Sequence, residues 1–153
     1  MPQQVDQGPQ SYRRVALIAT GLAVGLITLG GVVRITGSGM GCGDHWPLCN
    51  GRLIPNLSDS LEVIEWSHRW VAAMLSATVV CLALIAWRRH RDDGFLRVPA
   101  FGALALLVVQ VLLGAVTVKL GTAAPAVVIH LTTAMLFLSL LVVCALRAGE
   151  RLR

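Results

Sequence analysis

Charge is what this 153-residue chain has least of: Asp, Glu, Lys and Arg together make up 14% of it. A soluble domain carries roughly 25%. Hydrophobic residues fill 56% of the chain, and the mean hydropathy is +0.72. That balance excludes an ordinary soluble fold and reads as a membrane protein. A basic stripe is also lacking. The net charge of +5 comes from short arginine clusters at the ends of apolar runs. Such placement sets orientation in a bilayer, so no nucleic-acid partner is expected. No C-x-x-C-H motif occurs, which excludes covalently attached haem. Nor does an Ala-x-Ala site follow the first apolar run. That run also exceeds the roughly 7–15 residues of a cleaved signal's core, so it is expected to remain as a membrane segment.

What is present is four apolar runs: Val15–Val33, Trp70–Trp87 (preceded by a more polar turn from Val63), Val98–Val118 and Ala126–Leu146. Each approaches or exceeds the ~20 residues a helix needs to cross the hydrocarbon core. Open strands have no backbone partners in lipid. The expected fold is an all-α membrane protein, a four-transmembrane-helix bundle forming one domain over 13–153. Residues 1–12 are polar and rich in Gln and Pro, and a disordered cytoplasmic tail is expected there. With the N-terminus inside, nine arginines (13, 14, 88, 89, 91, 97, 147, 151 and 153) fall on the cytoplasmic side. Arg34, Arg52, Arg69 and Lys119 fall on the other. The positive-inside rule therefore places both termini in the cytoplasm and the 34–62 loop outside the cell membrane.

A weak internal repeat runs through the chain. "LGGVVRITG" (Leu29–Gly37) closes the first run and "LGAVTVKLG" (Leu113–Gly121) closes the third, 84 residues later. After each comes a loop, and then a helix with a histidine near its outer end, His68 or His130. At ~1.5 Å per residue the two imidazoles sit at similar depth on helices that run the same way. A lone histidine at a helix end often only bonds to the interface. Two at matched depth are candidates for gripping a flat ligand in the bundle core. Zinc wants three or four protein ligands. A di-iron carboxylate site wants E-x-x-H on each of two helices, and the chain has it once, as Glu65–His68. Non-covalent haem with His68 and His130 as axial ligands of the iron fits best.

Glu65 shares a helix face with His68. It is either a structural carboxylate near the helix start or a group at the macrocycle's edge that accepts a proton or stabilises positive charge. Glu62, one turn earlier, is expected to be solvated. Arg69, and less so Arg34, can pair with a carboxylate or a haem propionate. Between the first two runs lies "GMGCGDHWPLCNGRLIP" (39–55). Outside the membrane its Cys42 and Cys49 can persist as a disulfide, a staple of roughly 2–3 kcal/mol. Cys81 and Cys144, mid-membrane, are expected to pack as small apolar residues.

Together, "GGVVRITGSGMGCGDHWPLCNGRLIP", "IEWSHRWVA", "LGAVTVKL" and "VIHLTTAMLFL" resemble the haem A synthase family over nearly all of 15–146. The loop followed by E-x-x-H-R is a specific signature. The resemblance implies oxidation of the methyl group of haem O to the formyl group of haem A for terminal oxidases, with haem O handed over by haem O synthase. It implies His68 and His130 as haem ligands, Glu65 as the essential glutamate, and Cys42–Cys49 as a disulfide or redox pair. Family members usually have eight membrane helices, four histidines and two haem sites, whereas this chain carries one half, with the glutamate. Either it works as a homo-oligomer or it lacks the second haem. The rival reading is a non-catalytic bis-histidine carrier of haem B, or a haem-delivery subunit.

Overall fold

The computed structural model describes residues 7–44 and 47–153. Four α-helices dominate: α1 Gln7–Ile35, α2 Ser60–Arg89, α3 Gly94–Lys119 and α4 Ala124–Glu150. All four are long and apolar enough to cross a membrane, and no strand is found among the described residues. The four-helix expectation stands, with helices that overrun the apolar runs. Gln7–Tyr12, expected from composition to be disordered, is the first part of α1. Tyr12 anchors it: the ring is fully buried and its hydroxyl donates to the Leu96 carbonyl at 2.9 Å. Residues 1–6 of the expected tail lie outside the described residues.

Caps explain the other boundaries. Asp59 accepts from the backbone N–H of Leu61 and Glu62 and so starts α2 in the polar segment before its apolar run. Asp93 caps α3 through Phe95 N–H, and Pro125 opens α4 in the first turn, where its missing N–H costs nothing. Within the spans the hydroxyls of Ser67, Ser76, Thr117 and Thr133 each donate to the carbonyl four residues back. This satisfies them where no water reaches.

Each helix packs against its two neighbours, in the cyclic order α1, α2, α3, α4, so α2 and α4 stand diagonally across the bundle. The core obeys the sequence repeat far more strictly than the residue identities do. Tyr12, Ala16, Ala19 and Ala23 of α1 are buried, and so are Leu96, Ala100, Ala103 and Leu107 of α3, each 84 positions later. Leu75, Val79, Leu82 and Ala86 of α2 are answered by Phe137, Leu141, Cys144 and Ala148 of α4, each 62 positions later. Two equivalent helical hairpins therefore face one another, with core positions spaced as a single helix face requires. The two offsets differ because the connection Thr36–Asp59 is longer than Leu120–Ala123.

All of this apolar core lies in the half of the bundle away from the 34–62 loop. Beyond Ala23, Leu75, Leu107 and Phe137, towards that loop, no apolar helix residue is buried among the described residues. Full burial of apolar side chains thus stops half way along the bundle.

Candidate functional site

The unfilled half is where the sequence places its two histidines. His68 lies seven residues beyond Leu75, and His130 seven beyond Phe137. Both are therefore two turns, or ~10 Å, past the end of the core. They obey the 62-residue offset themselves. On the flanking helices the matching positions are glycines, Gly30 on α1 and Gly114 on α3, which obey the 84-residue offset. A Cβ at Gly30 would stand 3.3 Å from His68 Cε1 and 3.9 Å from its Nδ1. A Cβ at Gly114 would stand 3.6 Å from His130 Cε1. Each imidazole therefore leans on a bare stretch of the neighbouring helix backbone. For His68 it is the Nδ1–Cε1 edge that rests there, and Nε2 is turned further from the glycine.

Nδ1 of both histidines is buried and has no hydrogen-bond partner. The backbone of the second is pinned by Gln110, whose Nε2 donates to the His130 carbonyl at 3.2 Å. Imidazoles that commit no ring nitrogen to the protein keep a lone pair free for a metal. Among the described residues no three His, Cys, Asp or Glu side chains converge as a metal site of their own. Two ligands from diagonal helices, facing an unpacked layer, fit a metal that brings its remaining ligands with it, as haem iron does.

Glu65 is buried, with 4% of its surface exposed. Its Oε1 forms an ion pair with Arg69 one turn further along α2, and its Oε2 accepts from Cys42 N–H at 2.8 Å. The other arm of Arg69 donates to the Leu48 carbonyl at 2.7 Å. Carboxylate and guanidinium thus hold the disulfide loop at both ends, because Cys42 and Cys49 are joined. Arg69 takes the carboxylate partner that the sequence offered it. Arg34, at the exposed end of α1, makes no ion pair among the described residues. Cys144 is buried in the inner core, whereas Cys81 is exposed on the outer face of α2, and both are remote from the site.

Glu62, expected to be solvated, is instead 6% exposed and bonded on all sides. Asn50 Nδ2 donates to Oε1 at 2.9 Å, Arg52 donates to both oxygens at 3.2 and 3.0 Å, and Asn56 N–H donates to Oε2 at 2.7 Å. The cause is that the loop folds back over the start of α2. Gly41 makes this close approach possible, since a Cβ there would lie 2.5 Å from the Leu61 backbone. A tight turn at Asn50 and Gly51, with φ of 49° and 76°, then reverses the chain and returns Arg52 to Glu62. A carboxylate with three donors was legible only as a glutamate one turn ahead of another, with Arg52 ten residues upstream.

The two hairpins share the histidines, the glycines and the core. They do not share the rest. Sixty-two positions after Glu62, Glu65 and Arg69 stand Ala124, Val127 and Leu131, and the short second connection has no disulfide. The symmetric parts supply the two histidines and their glycines, and the asymmetric parts place a carboxylate and a covering loop on one side.

The chain matches the family model COX15-CtaA, cytochrome oxidase assembly protein, over residues 13–63 and 58–152. It is 42% identical over 118 residues to the haem A synthase of Bacillus licheniformis, covering 74% of this chain and 37% of that protein. It is 32% identical over 147 residues to the haem A synthase of Bacillus pumilus, covering 94% of this chain and 47% of that one. The corresponding protein of Alkalihalophilus pseudofirmus is 33% identical over 138 residues, 90% of this chain and 46% of its own length. The chain thus spans less than half the length of these relatives. No solved structure matches it. Four apolar helices, the paired histidines and the loop before E-x-x-H all fall within the matched residues, and the chain belongs to the COX15-CtaA family of cytochrome oxidase assembly proteins.

Proposed function

We propose that this chain is a compact haem A synthase, which oxidises the methyl group of haem O to the formyl group of haem A for terminal oxidase biogenesis. One observation carries the reading. The apolar core stops two turns short of a level where His68 and His130, on diagonal helices, present imidazoles whose Nδ1 atoms have no protein partner. When bound there, haem supplies the redox-active iron and the methyl group to be oxidised.

His68 and His130 are the residues that would hold the haem iron, and Gly30 and Gly114 leave the imidazoles room to lean back. Glu65 keeps a negative charge at one edge of the site. Arg69 and the Cys42 N–H hold that carboxylate in a single orientation, which is the preorganisation that charge stabilisation needs. The loop covers the site's mouth and limits the entry of water. With Arg69 committed to Glu65 and Leu48, Arg34 is the freer cation for a propionate. Nine arginines at the opposite end support placing the loop outside the cell membrane. On this reading haem O comes from haem O synthase, and copies of the chain assemble as a homo-oligomer.

The test is the haem content of purified wild type, His68→Ala, His130→Ala and Glu65→Gln, by pyridine haemochrome and chromatography of the extract. Wild type should carry haem O and haem A, and either histidine variant should lose the pigment. Glu65→Gln should keep haem but stop at haem O. Haem B alone in the wild type would replace the synthase with an electron carrier, and undiminished haem A in Glu65→Gln would take Glu65 out of the chemistry.

A further inference from the structure

The end of the bundle away from the disulfide loop holds a second polar feature that the haem site does not use. The turn between α2 and α3, the start of α1 and the end of α4 enclose an open depression of about 530 Å³, within the range of small-molecule sites. Its walls carry Arg89, His90, Arg91, Asp92, Asp93 and Arg151. The charges are not balanced. Asp93 is taken, accepting from Arg151 at 3.0 Å and from Phe95 N–H at 3.1 Å. Arg89 and Arg91 are exposed, and neither guanidinium has a carboxylate partner among the described residues. Asp92 is the one opposing charge left.

His90 adds an independent sign. It is 9% exposed, packs edge-on against the Tyr12 ring at 5.8 Å, and its Nε2 is buried with no hydrogen-bond partner. Orientation in the membrane explains arginines anywhere at this end. It does not explain a buried, unpartnered ring nitrogen on a residue that lines the same depression as two unpaired guanidinium groups. The depression also lies where the spans of α2 and α3 end, at Arg89 and Gly94, with Trp87 half exposed just inside. That is the level of lipid headgroups, where amphipathic rings settle.

We propose that this depression binds a phosphate group carried at headgroup level, that of an anionic phospholipid, through Arg89, Arg91 and His90. A phosphodiester offers acceptor oxygens to both guanidinium forks and to a ring N–H at once. A zwitterionic lipid brings its own cation, which the arginines repel. Free phosphate has the same acceptor chemistry and is the other source of the group.

The experiment is native mass spectrometry of the full chain in detergent, titrated with phosphatidylglycerol, with phosphatidylcholine, and with phosphatidylglycerol plus excess inorganic phosphate. One saturable phosphatidylglycerol is expected, and phosphatidylcholine should bind far more weakly. Arg89→Gln/Arg91→Gln should weaken binding about thirtyfold, each arginine near a membrane surface contributing about fivefold. His90→Phe keeps the ring against Tyr12 and should weaken it severalfold. Arg13→Gln/Arg14→Gln removes the same charge from a separate arginine-lined depression on α1 and should change it less than threefold. Displacement by inorganic phosphate would make free phosphate the natural occupant, and no displacement would make it the lipid. Equal weakening by the two double variants, equal binding of the two lipids, or full affinity in His90→Phe would overturn the proposal.

Discussion

Gly30 of α1 lies against the imidazole of His68, so close that a methyl group in place of its hydrogen would stand 3.3 Å from Cε1. Its repeat partner Gly114 leaves His130 slightly more room, 3.6 Å. That difference separates two substitutions that look equivalent in sequence. Gly114→Ala makes an ordinary contact, and alanine favours a helix interior over glycine by up to about 1 kcal/mol. The variant should melt at or above the wild-type temperature and keep its haem. Gly30→Ala must move the His68 ring by a few tenths of an ångström. It should lose haem occupancy or shift the absorption of the bound pigment while its helix content is unchanged. Equal haem spectra in both variants would show that His68 does not need the glycine.

The Glu62 carboxylate ties Asn50, Arg52 and the Asn56 backbone to the first turn of α2. Removing one member of a buried ion pair costs about 3–5 kcal/mol. Arg52 is half exposed and regains water, so Glu62→Ala should cost less, about 1–2 kcal/mol. The loss should be local. Limited trypsin digestion should cut after Arg52 much faster in the variant, with the four helices still protected. Unchanged cleavage at Arg52 would mean that the disulfide alone fixes the loop.

The four helices and the matched placement of the two histidines were legible because they repeat. Apolar runs of membrane length fix the four helices, and two histidines at one depth follow from where each run begins. The glycines that face them were not legible. Gly30 and Gly114 are two of fifteen glycines, and only the backbone shows which ones face an imidazole. Glu62 was misplaced for a related reason. A glutamate near a helix start looks solvated until a loop is seen to return across it, and that return depends on Gly41 and on a turn at Asn50 and Gly51. Tyr12 likewise sits in a segment of polar composition, and its buried ring and its bond to Leu96, across 84 residues, tie that segment to α3.

Cys42 and Cys49 enclose a short loop, with a sequence separation of 7. Their cross-link limits the unfolded chain and stabilises by about 2.5 kcal/mol on the loop-entropy estimate. The disulfide and Glu62 restrain the same segment, so their effects should not add. Cys42→Ser/Cys49→Ser combined with Glu62→Ala should cost at least about 0.5 kcal/mol less than the two costs together. Thermal unfolding of the four members of the cycle measures this. Strict additivity would mean that the carboxylate and the disulfide restrain different parts of the loop.

At the opposite end, Arg151, the residue just past α4, is bonded to Asp93, the residue that caps α3. Partial burial alone would raise the Asp93 carboxyl. The Arg151 guanidinium and the N–H groups of Phe95 and Leu96 outweigh it and hold the pKa below its usual 3.8. A carboxyl lowered in the folded state adds stability that is fully present above the unfolded value and is lost as the pH falls through the folded one. The contribution should therefore be constant from neutral pH down to about 5 and fade only below about 4. Asp93→Asn should melt lower than wild type at pH 7, and the gap should close as the pH falls through the lowered folded-state value. Arg151→Gln should show the same closing gap, because it removes the guanidinium that lowers Asp93. A gap of constant size from pH 7 to pH 3 would assign the loss to the α3 cap alone and not to the ion pair.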